Sequence, residues 1–234
     1  MTAAAVSVRP ASPGVPVSAV VLVLNGGQST NTAPASTRNL AYQRMRPFAR
    51  IVHRDLRGRG VAVWQLRYRV RGWNGAAADP VRDATWAIER IANEHPGVPV
   101  VAVGHSMGGR TALYVAGADN VVGVCALAPW IEPRDPVAQL SGRTLVAAHG
   151  NLDRMTDPRQ TRRYASQAAA IGARVAFFQV AGEKHAMLRR PSAWHVLTRD
   201  AVRFMLDIPS DSQVARVMAT APADRLGVLL GAAA

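Results

Sequence analysis

One pentapeptide constrains the fold of this 234-residue chain more than any other stretch. Gly104-His105-Ser106-Met107-Gly108 directly follows an apolar run over residues 98–103. Glycines two residues before and two residues after a serine let a strand turn abruptly into a helix, because no side chain there collides with the neighbouring strand and helix. Residues 109–118 are compatible with that helix. The pattern therefore predicts a strained strand-to-helix turn that exposes Ser106 Oγ at the carboxyl end of a sheet.

Apolar runs of strand length recur along the chain and predict a largely parallel sheet. Most of these runs are nearly continuous rather than alternating, which is typical of strands that are buried on both faces. The six predicted strands are residues 17–24, 61–68, 98–103, 121–127, 143–148 and 174–180. The helical patterns between and after them are residues 37–54, 81–94, 109–118, 158–171 and 193–206. This alternation predicts an α/β fold with a doubly wound, mostly parallel sheet of about six strands and helices on both faces.

The two ends of the chain fall outside this pattern. Residues 1–16 contain three prolines and are expected to form a flexible N-terminal segment. Residues 209–234 are expected to form a C-terminal tail that includes a short helix. The domain between them, residues 17–208, is large enough to bury one core. Residues 129–142, which precede the fifth predicted strand, are too few for a helical cap, so we expect no cap domain and an open site.

The net charge of +13 invites a polyanion-binding hypothesis. A strongly basic surface attracts nucleic acids and acidic membranes. However, Lys184 is the only lysine among the 28 basic residues, and the arginines are spread along the chain rather than gathered in one block. Such a distribution favours a GC-rich coding bias over polyanion recognition. We therefore expect no nucleic-acid partner, and a nucleic-acid-associated protein stays an alternative that rests on charge alone.

Cysteine usage and hydropathy indicate the compartment. The single cysteine, Cys125, excludes an internal disulfide and is more typical of a small buried side chain than of a nucleophile. Residues 17–24 run into Asn25-Gly26-Gly27 without a small-residue cleavage site, which favours a core strand over a secretory segment. No apolar run is long enough to span a bilayer. We expect a cytoplasmic protein that needs no cofactor and no metal, since no ligand spacing, phosphate loop or dinucleotide fingerprint is present.

Two polar segments follow the last two predicted strands and supply partners for Ser106. A serine hydroxyl is a poor nucleophile until a histidine accepts its proton, and the resulting imidazolium needs a carboxylate. The segment His149-Gly150-Asn151-Leu152-Asp153 follows the fifth strand, and Gly182-Glu183-Lys184-His185 follows the sixth. Because the carboxyl ends of parallel strands meet at one edge of a sheet, we expect both segments to lie near Ser106.

With these three segments, the chain resembles the α/β-hydrolase superfamily over about residues 17–206. The resemblance implies a serine hydrolase in which Ser106 is the nucleophile. It implies that Asp153 is the acid that orients the histidine, and that His185 is the base that later acts as the acid.

Other carboxylates and histidines are rivals for the two partner roles. Asp157 is the main rival of Asp153, and Glu132 and Asp135 are more distant ones. His195 is the rival base, although it lies in a predicted helix where a packed or surface histidine is more common. The remaining histidines have structural explanations and are His53, His95, His105 and His149.

Acyl transfer also needs hydrogen-bond donors for the oxyanion of the tetrahedral intermediate. The backbone N–H of Met107, just after the nucleophile, is the first expected donor. The second is expected from the loop after the first strand, where members of the superfamily often carry His-Gly and this chain has Asn25 before its glycines. Since the donor is a main-chain N–H, we expect Gly27 to supply it, with Gln28 as the alternative. A tight turn is the other explanation of these glycines.

Few residues point to the substrate. A serine at the elbow argues against enzymes that use aspartate there for epoxides or halides. It leaves esters and thioesters, with amides as a less favoured alternative. Trp73 and Trp130 follow strands on the active side and either line an acyl pocket, together with Gln28, or anchor loops.

Three arginines give a minor hypothesis of anionic substrates, because they lie near the polar segments: Arg154, Arg189 and Arg190. The sequence therefore predicts a serine hydrolase that cleaves a small carboxylic ester or thioester through an acyl-serine. The alternative is a catalytically silent hydrolase-fold protein that binds a partner. The oligomeric state is left open.

Overall fold

The computed structural model describes residues 3–230, in which eight strands form one sheet with six α-helices around it. The strands are β1 (Ala5–Arg9), β2 (Ala19–Leu24), β3 (Val61–Arg67), β4 (Val100–His105), β5 (Val121–Leu127), β6 (Thr144–Gly150), β7 (Arg174–Val180) and β8 (Leu226–Leu230). The helices are α1 (Leu40–Leu56), α2 (Asp79–Glu94), α3 (Met107–Tyr114), α4 (Pro158–Ala170), α5 (Pro191–Met205) and α6 (Gln213–Ala219).

The sheet has the order β1-β3-β2-β4-β5-β6-β7-β8. Strand β1 pairs with β3 antiparallel, and every other neighbouring pair is parallel. The register aligns the carboxyl ends of the central strands, since Leu24 of β2 lies opposite Gly104 of β4. His149 of β6 likewise lies opposite Gln179 of β7. The loops after β2, β4, β6 and β7 therefore meet at one edge of the sheet, where ligands of such folds bind.

Two apolar layers bury the faces of the sheet. On one face, α2, α3 and α4 pack over Leu22, Trp64 and Phe177. On the other face, α1, α5 and α6 cover Val21 and Phe178. Adjacent residues of one strand thus point into opposite layers, and this requires the continuous apolar runs that the sequence shows.

The predicted α/β class and the absence of a cap are confirmed. All six predicted strands and all five predicted helices are present, with boundaries shifted by a few residues. Between β5 and β6 the only regular element is one short 3₁₀ turn, Ala138–Leu140. The segment between β5 and β6 therefore forms no helical cap over the carboxyl ends of the strands.

The strand count is higher than the predicted six because each end of the chain adds an edge strand. Within the segment expected to be flexible, Ala5–Arg9 pairs with β3, and the Tyr42 hydroxyl donates to Ser7 Oγ at 3.0 Å. Polar residues are tolerated there because an edge strand is half-exposed. Within the expected tail, α6 is the short helix, and Leu226–Leu230 pairs with β7. Such a short apolar run is ambiguous without its tertiary partner.

Two further features bear on the predicted environment. Among the helices of the described residues, none has the length and apolar character needed to cross a bilayer. Cys125 is fully buried on β5. Burial raises the pKa of its thiol to about 12, which keeps the sulfur protonated.

Candidate active site

Ser106 occupies a strained turn between β4 and α3. Its backbone angles are φ 55° and ψ −120°, a conformation that few non-glycine residues adopt. The flanking glycines make this turn possible. A Cβ on Gly104 would lie well under 3.0 Å from the backbone of Gly108, and one on Gly108 would lie equally close to the carbonyl of Leu24. Helix α3 can therefore start directly against β2 and β4, with Ser106 at their carboxyl ends.

Ser106, His185 and Asp153 form a continuous chain of hydrogen bonds. His185 Nε2 lies 2.9 Å from Ser106 Oγ, and His185 Nδ1 lies 2.8 Å from Asp153 Oδ2. Because a carboxylate can only accept, Nδ1 carries the proton of the neutral imidazole, and Nε2 is free to accept from the serine hydroxyl. The structure thus brings together the three residues that the sequence singled out, with the tautomer that proton abstraction requires.

The carboxylate of Asp153 is fully buried and accepts five hydrogen bonds. Oδ2 accepts from His185 and from two further side chains, His149 Nε2 at 3.0 Å and Thr156 Oγ1 at 2.9 Å. Oδ1 accepts from the backbone N–H groups of Met155 at 2.8 Å and Thr156 at 3.2 Å. Burial alone would raise the pKa of Asp153. The hydrogen bonds, from His149 first, outweigh burial and hold this pKa far below its usual value.

Two of these donors were not identified from the sequence as members of the site. His149 was assigned a structural explanation, but the structure places its fully buried ring on Asp153. Its other nitrogen, Nδ1, lies 2.8 Å from Thr161 Oγ1, which fixes the ring from the side of α4. The Thr156 hydroxyl also lies 3.1 Å from His185 Nδ1. The signal available in the sequence was that His149 and Thr156 stand close to Asp153 on the same segment.

The loop that carries His185 is organised by the buried carboxylate of Glu183. This carboxylate accepts from the N–H groups of Lys184 at 3.0 Å and Arg190 at 2.8 Å, and from Trp194 Nε1 at 3.2 Å. Burial opposes the ionised form, but these N–H donors hold the pKa of Glu183 below its usual value. Glu183 is thus a fixed anion that ties the loop to the start of α5.

His105, which precedes Ser106 in the elbow, contacts His185. Its Nε2 lies 3.0 Å from the carbonyl oxygen of His185, and the two rings are 4.9 Å apart. Burial, and next the proximity of His185, lower the pKa of His105 to about 3. The His105 ring is therefore neutral near pH 7 and adds no positive charge beside His185. Its Nε2–H donates to the His185 carbonyl.

The rival residues have partners elsewhere. Asp157 caps α4, where its Oδ1 accepts from the N–H of Arg159 at 2.9 Å. Glu132 accepts from Trp130 Nε1 at 2.7 Å, and Asp135 forms an ion pair with Arg110. His195 packs edge-on against Phe48 with a centroid distance of 4.6 Å. His53 Nε2 donates to the carbonyl of Pro10 at 2.9 Å, and His95 packs edge-on against Trp64.

The two residues that carry the expected oxyanion donors, Met107 and Gly27, lie close together. The Met107 N–H begins α3, and the Met107 side chain lies against Gly27. Within residues 3–230 the N–H of Gly27 has no acceptor, whereas the N–H of Gln28 donates to the carbonyl of Arg71 at 3.0 Å. This difference favours Gly27 over Gln28 as the second donor. The Arg71 carbonyl would also clash with any Cβ at Gly27.

The two tryptophans stand together but differ in exposure. Trp73 is 5% exposed and packs edge-on against Tyr114 at 5.0 Å and against Trp130 at 6.1 Å. The guanidinium of Arg110 lies over both indole rings, at 4.1 Å and 4.5 Å. Trp73 therefore matches the loop-anchor explanation rather than a pocket wall. Trp130 is half-buried, and its backbone N–H donates to the carbonyl of Ser106 at 3.1 Å.

Charged groups also surround the site without forming a metal centre. Arg154 and Arg189 are exposed on the loops that carry Asp153 and His185, and Arg190 begins α5 half-buried. In the part of the chain that the structure describes, no three His, Cys, Asp or Glu side chains are grouped in a way that suits a metal ion.

Comparison with known proteins places this architecture among the α/β serine hydrolases. Residues 16–152 match the family model described as serine aminopeptidase, S33. This matched segment includes the whole elbow and ends one residue before Asp153. No curated protein matches the chain significantly.

Several solved structures share the fold at low sequence identity. Esterase 2 of Thermogutta terrifontis, phosphonylated by cyclosarin, is 20% identical with a TM-score of 0.65, over 88% of this chain and 89% of that chain. Est1E of Butyrivibrio proteoclasticus is 10% identical with a TM-score of 0.64, over 87% and 95%. A serine hydrolase without a lid from Xanthomonas campestris is 18% identical with a TM-score of 0.59, over 89% and 91%. These similarities establish the fold.

Alanine at Gly104 is expected to lower the free energy of unfolding by about 3 kcal/mol, because its Cβ would meet only backbone atoms of α3. Urea unfolding measures this change. Gly58→Ala is the matched control, since Gly58 has no heavy atom within 4 Å of its Cβ position and a φ that is not positive. Equal stability of the two variants would contradict the close approach of α3 to β4.

Stability in acid is expected to depend on Asp153. Its pKa lies far lower in the folded chain than the value of about 3.9 in an unfolded one, so its ionised form stabilises the fold above that pH. This contribution is lost progressively as the pH falls below that value towards the folded pKa. Urea unfolding at about pH 7 and about pH 3 should show a larger loss for the wild type than for Asp153→Asn. Asp157→Asn, at the half-exposed helix cap, should behave like the wild type.

Proposed function

Because the chain belongs to the serine aminopeptidase S33 family and has the α/β-hydrolase fold, we propose that it is a cap-less serine hydrolase. We propose that it cleaves a small carboxylic ester or thioester through an acyl-serine intermediate. The observation that carries this proposal is the unbroken hydrogen-bond chain from Ser106 through His185 to the buried Asp153, which begins at a strained serine.

The first step is attack by Ser106 Oγ on the carbonyl carbon of the substrate. His185 Nε2 lies 2.9 Å from Oγ and takes its proton as the new C–O bond forms. The imidazolium that results keeps its Nδ1–H on Asp153, whose negative charge stabilises it. Asp153 stays ionised throughout, because its five donors strongly favour the charged form.

The tetrahedral intermediate carries its negative charge on the former carbonyl oxygen. The N–H groups of Met107 and Gly27 are the proposed donors to this oxygen. The Met107 N–H lies at the start of α3, so the dipole of this helix also favours a negative charge there. His185 then gives its proton to the leaving alcohol or thiol, and Ser106 is left acylated.

Water completes the reaction. The site has no cap, so water can approach the acyl-serine from solvent, with His185 as the general base. Attack releases the carboxylic acid and returns the proton to Ser106. Trp130 and Gln28, which flank the site, are the proposed contacts of the substrate, whereas Trp73 acts through the position of its loop.

The family description raises aminopeptidase activity as a second candidate. An aminopeptidase needs an anionic group near the serine to bind the substrate ammonium. The carboxylates of Asp153 and Glu183 are buried and are already saturated by hydrogen bonds from the protein. Among the described residues close to the elbow, Asp135 is likewise paired, with Arg110. These contacts exclude Asp153, Glu183 and Asp135 as the anion that would bind the substrate ammonium. Glu132, which accepts from Trp130 Nε1 and has no ion-pair partner among the described residues, is the carboxylate left for that role.

A pre-steady-state assay with p-nitrophenyl esters from acetate to octanoate tests the proposal. We expect a burst of p-nitrophenol followed by turnover, and a loss of kcat by about 10⁴-fold or more in Ser106→Ala. Ser166→Ala, on the exposed side of α4, is the matched control and should keep full activity. A serine-reactive phosphonate should label the wild type at Ser106 only. No burst and no labelling would instead support the silent, partner-binding alternative.

His149 is expected to act as a positioning residue through Asp153. His149→Phe keeps the ring volume but removes the N–H donor, and we expect kcat to fall by about tenfold while KM changes little. His149→Gln retains a donor and should recover part of this loss. The two variants are compared by steady-state kinetics on one ester, with His53→Gln on α1 as the control. Equal kcat in all four proteins would show that Asp153 does not need this donor.

A further inference from the structure

A cleft of about 190 Å³ opens beside the proposed oxyanion loop. One wall is the turn from Asn25 to Gln28, and the other walls are the start of α1 and the segment that follows β3. The cleft lies next to the nucleophile, because a Cβ built on Gly26, one of its lining residues, would lie 3.3 Å from Ser106 Cβ. A substrate whose carbonyl lies at Ser106 can therefore extend a second group into this cleft.

The cleft is lined by two arginines whose charges have no carboxylate partner. Arg67 uses its Nη atoms on backbone carbonyls, at 3.2 Å from Ala35 and 2.8 Å from Ala3. Arg71 is exposed, donates from Nε to the Pro34 carbonyl at 3.0 Å, and has no acceptor for Nη1 or Nη2 within residues 3–230. Neither arginine forms an ion pair with any acidic residue in this part of the chain, and no Asp or Glu lines the cleft.

This arrangement differs from that of other arginines close by. Arg69, between the two, is paired with Asp79 and Asp83 on the opposite side of the segment. Arg110 is neutralised by Asp135. The cleft beside Ser106 therefore holds two guanidinium groups without an acidic partner among the described residues, whereas the nearby Arg69 and Arg110 are paired with carboxylates.

We propose that this cleft binds an anionic group of the substrate, such as a carboxylate, with Arg71 as its principal contact. The proposal rests on the proposed hydrolase function and narrows its substrate class to esters that carry a second, negatively charged group. A guanidinium offers two parallel N–H donors that match a carboxylate, and its rigid fork holds the anion in one orientation. The free Nη1 and Nη2 of Arg71 provide such a pair. Gln28, at the rim of the cleft, offers further polar contact.

Two pairs of aliphatic esters, followed by pH-stat, test which part of the substrate carries the charge. Monoethyl glutarate against ethyl pentanoate places the carboxylate on the acyl side. The butyrate ester of glycolic acid against propyl butyrate places it on the alcohol side. We expect kcat/KM of the anionic ester to exceed that of its neutral partner by about tenfold in one pair. Added salt should reduce that preference, because Arg71 is exposed.

Variants of Arg71 test whether the preference for the anionic ester depends on the cleft. Arg71→Gln should lower the ratio of anionic to neutral kcat/KM by about tenfold, and Arg71→Lys, which keeps the charge but not the fork, by about threefold. Arg59→Gln is the control. Arg59 is exposed and precedes β3, at the opposite edge of the sheet, and this variant should retain the ratio of the wild type.

A binding measurement separates this inference from the hydrolase proposal. Glutarate should raise the melting temperature of Ser106→Ala, which cannot form an acyl-enzyme, and should not do so once Arg71→Gln is added. A neutral-ester preference in both substrate pairs, or a wild-type ratio in Arg71→Gln, would overturn the anionic cleft even if Ser106 is acylated. A glutarate shift without any ester turnover would retain the cleft and overturn the hydrolase.

Discussion

The buried carboxylate of Asp153 joins segments that the chain brings from separate parts of the sheet. Its five donors come from the end of β6, from the loop that follows, and from the loop after β7. Without this anion, the imidazoles of His149 and His185 would each lose the acceptor that fixes their tautomer. The turn that carries Ser106 is the fourth segment joined to this network, because His185 Nε2 accepts from Ser106 Oγ. The same hydrogen bonds thus carry the proton transfer and hold these loops together. A substitution at Asp153 therefore changes both catalysis and local stability.

Much of this architecture is predictable because it depends on local patterns. Continuous apolar runs indicate strands that are buried on two faces, and their alternation with helical patterns predicts the central parallel sheet. The two glycines around Ser106 are predictive because backbone atoms occupy the positions that their Cβ atoms would take. A glycine at each position therefore indicates that strand and helix backbones lie in close contact there. Strand order predicts that the segments with Asp153 and His185 lie near Ser106, since parallel strands bring their carboxyl ends to one edge. The roles of these two residues came from the resemblance to the α/β-hydrolase superfamily.

Other features depend on contacts between distant segments and are not visible in local patterns. Strand β1 contains Ser7 and Arg9, and only its pairing with β3 identifies it. The role of Trp73 depends on Arg110, whose guanidinium lies over the indole rings of Trp73 and Trp130. His149 gave no signal beyond its nearness to Asp153, because a buried histidine at a strand end is more often structural. The sequence thus predicts which strand ends meet, while the hydrogen bonds between them require the fold.

The position of Cys125 has a practical consequence. Its thiol is fully buried in the middle of the sheet, beneath α5, and its pKa of about 12 leaves almost no thiolate at neutral pH. Because it is the chain's single cysteine, a thiol reagent has one target, and that target becomes accessible only when β5 and α5 separate. The rate of thiol modification therefore records opening of the core directly. It does so independently of Ser106, so the integrity of the domain and the chemistry at its edge can be followed in one sample.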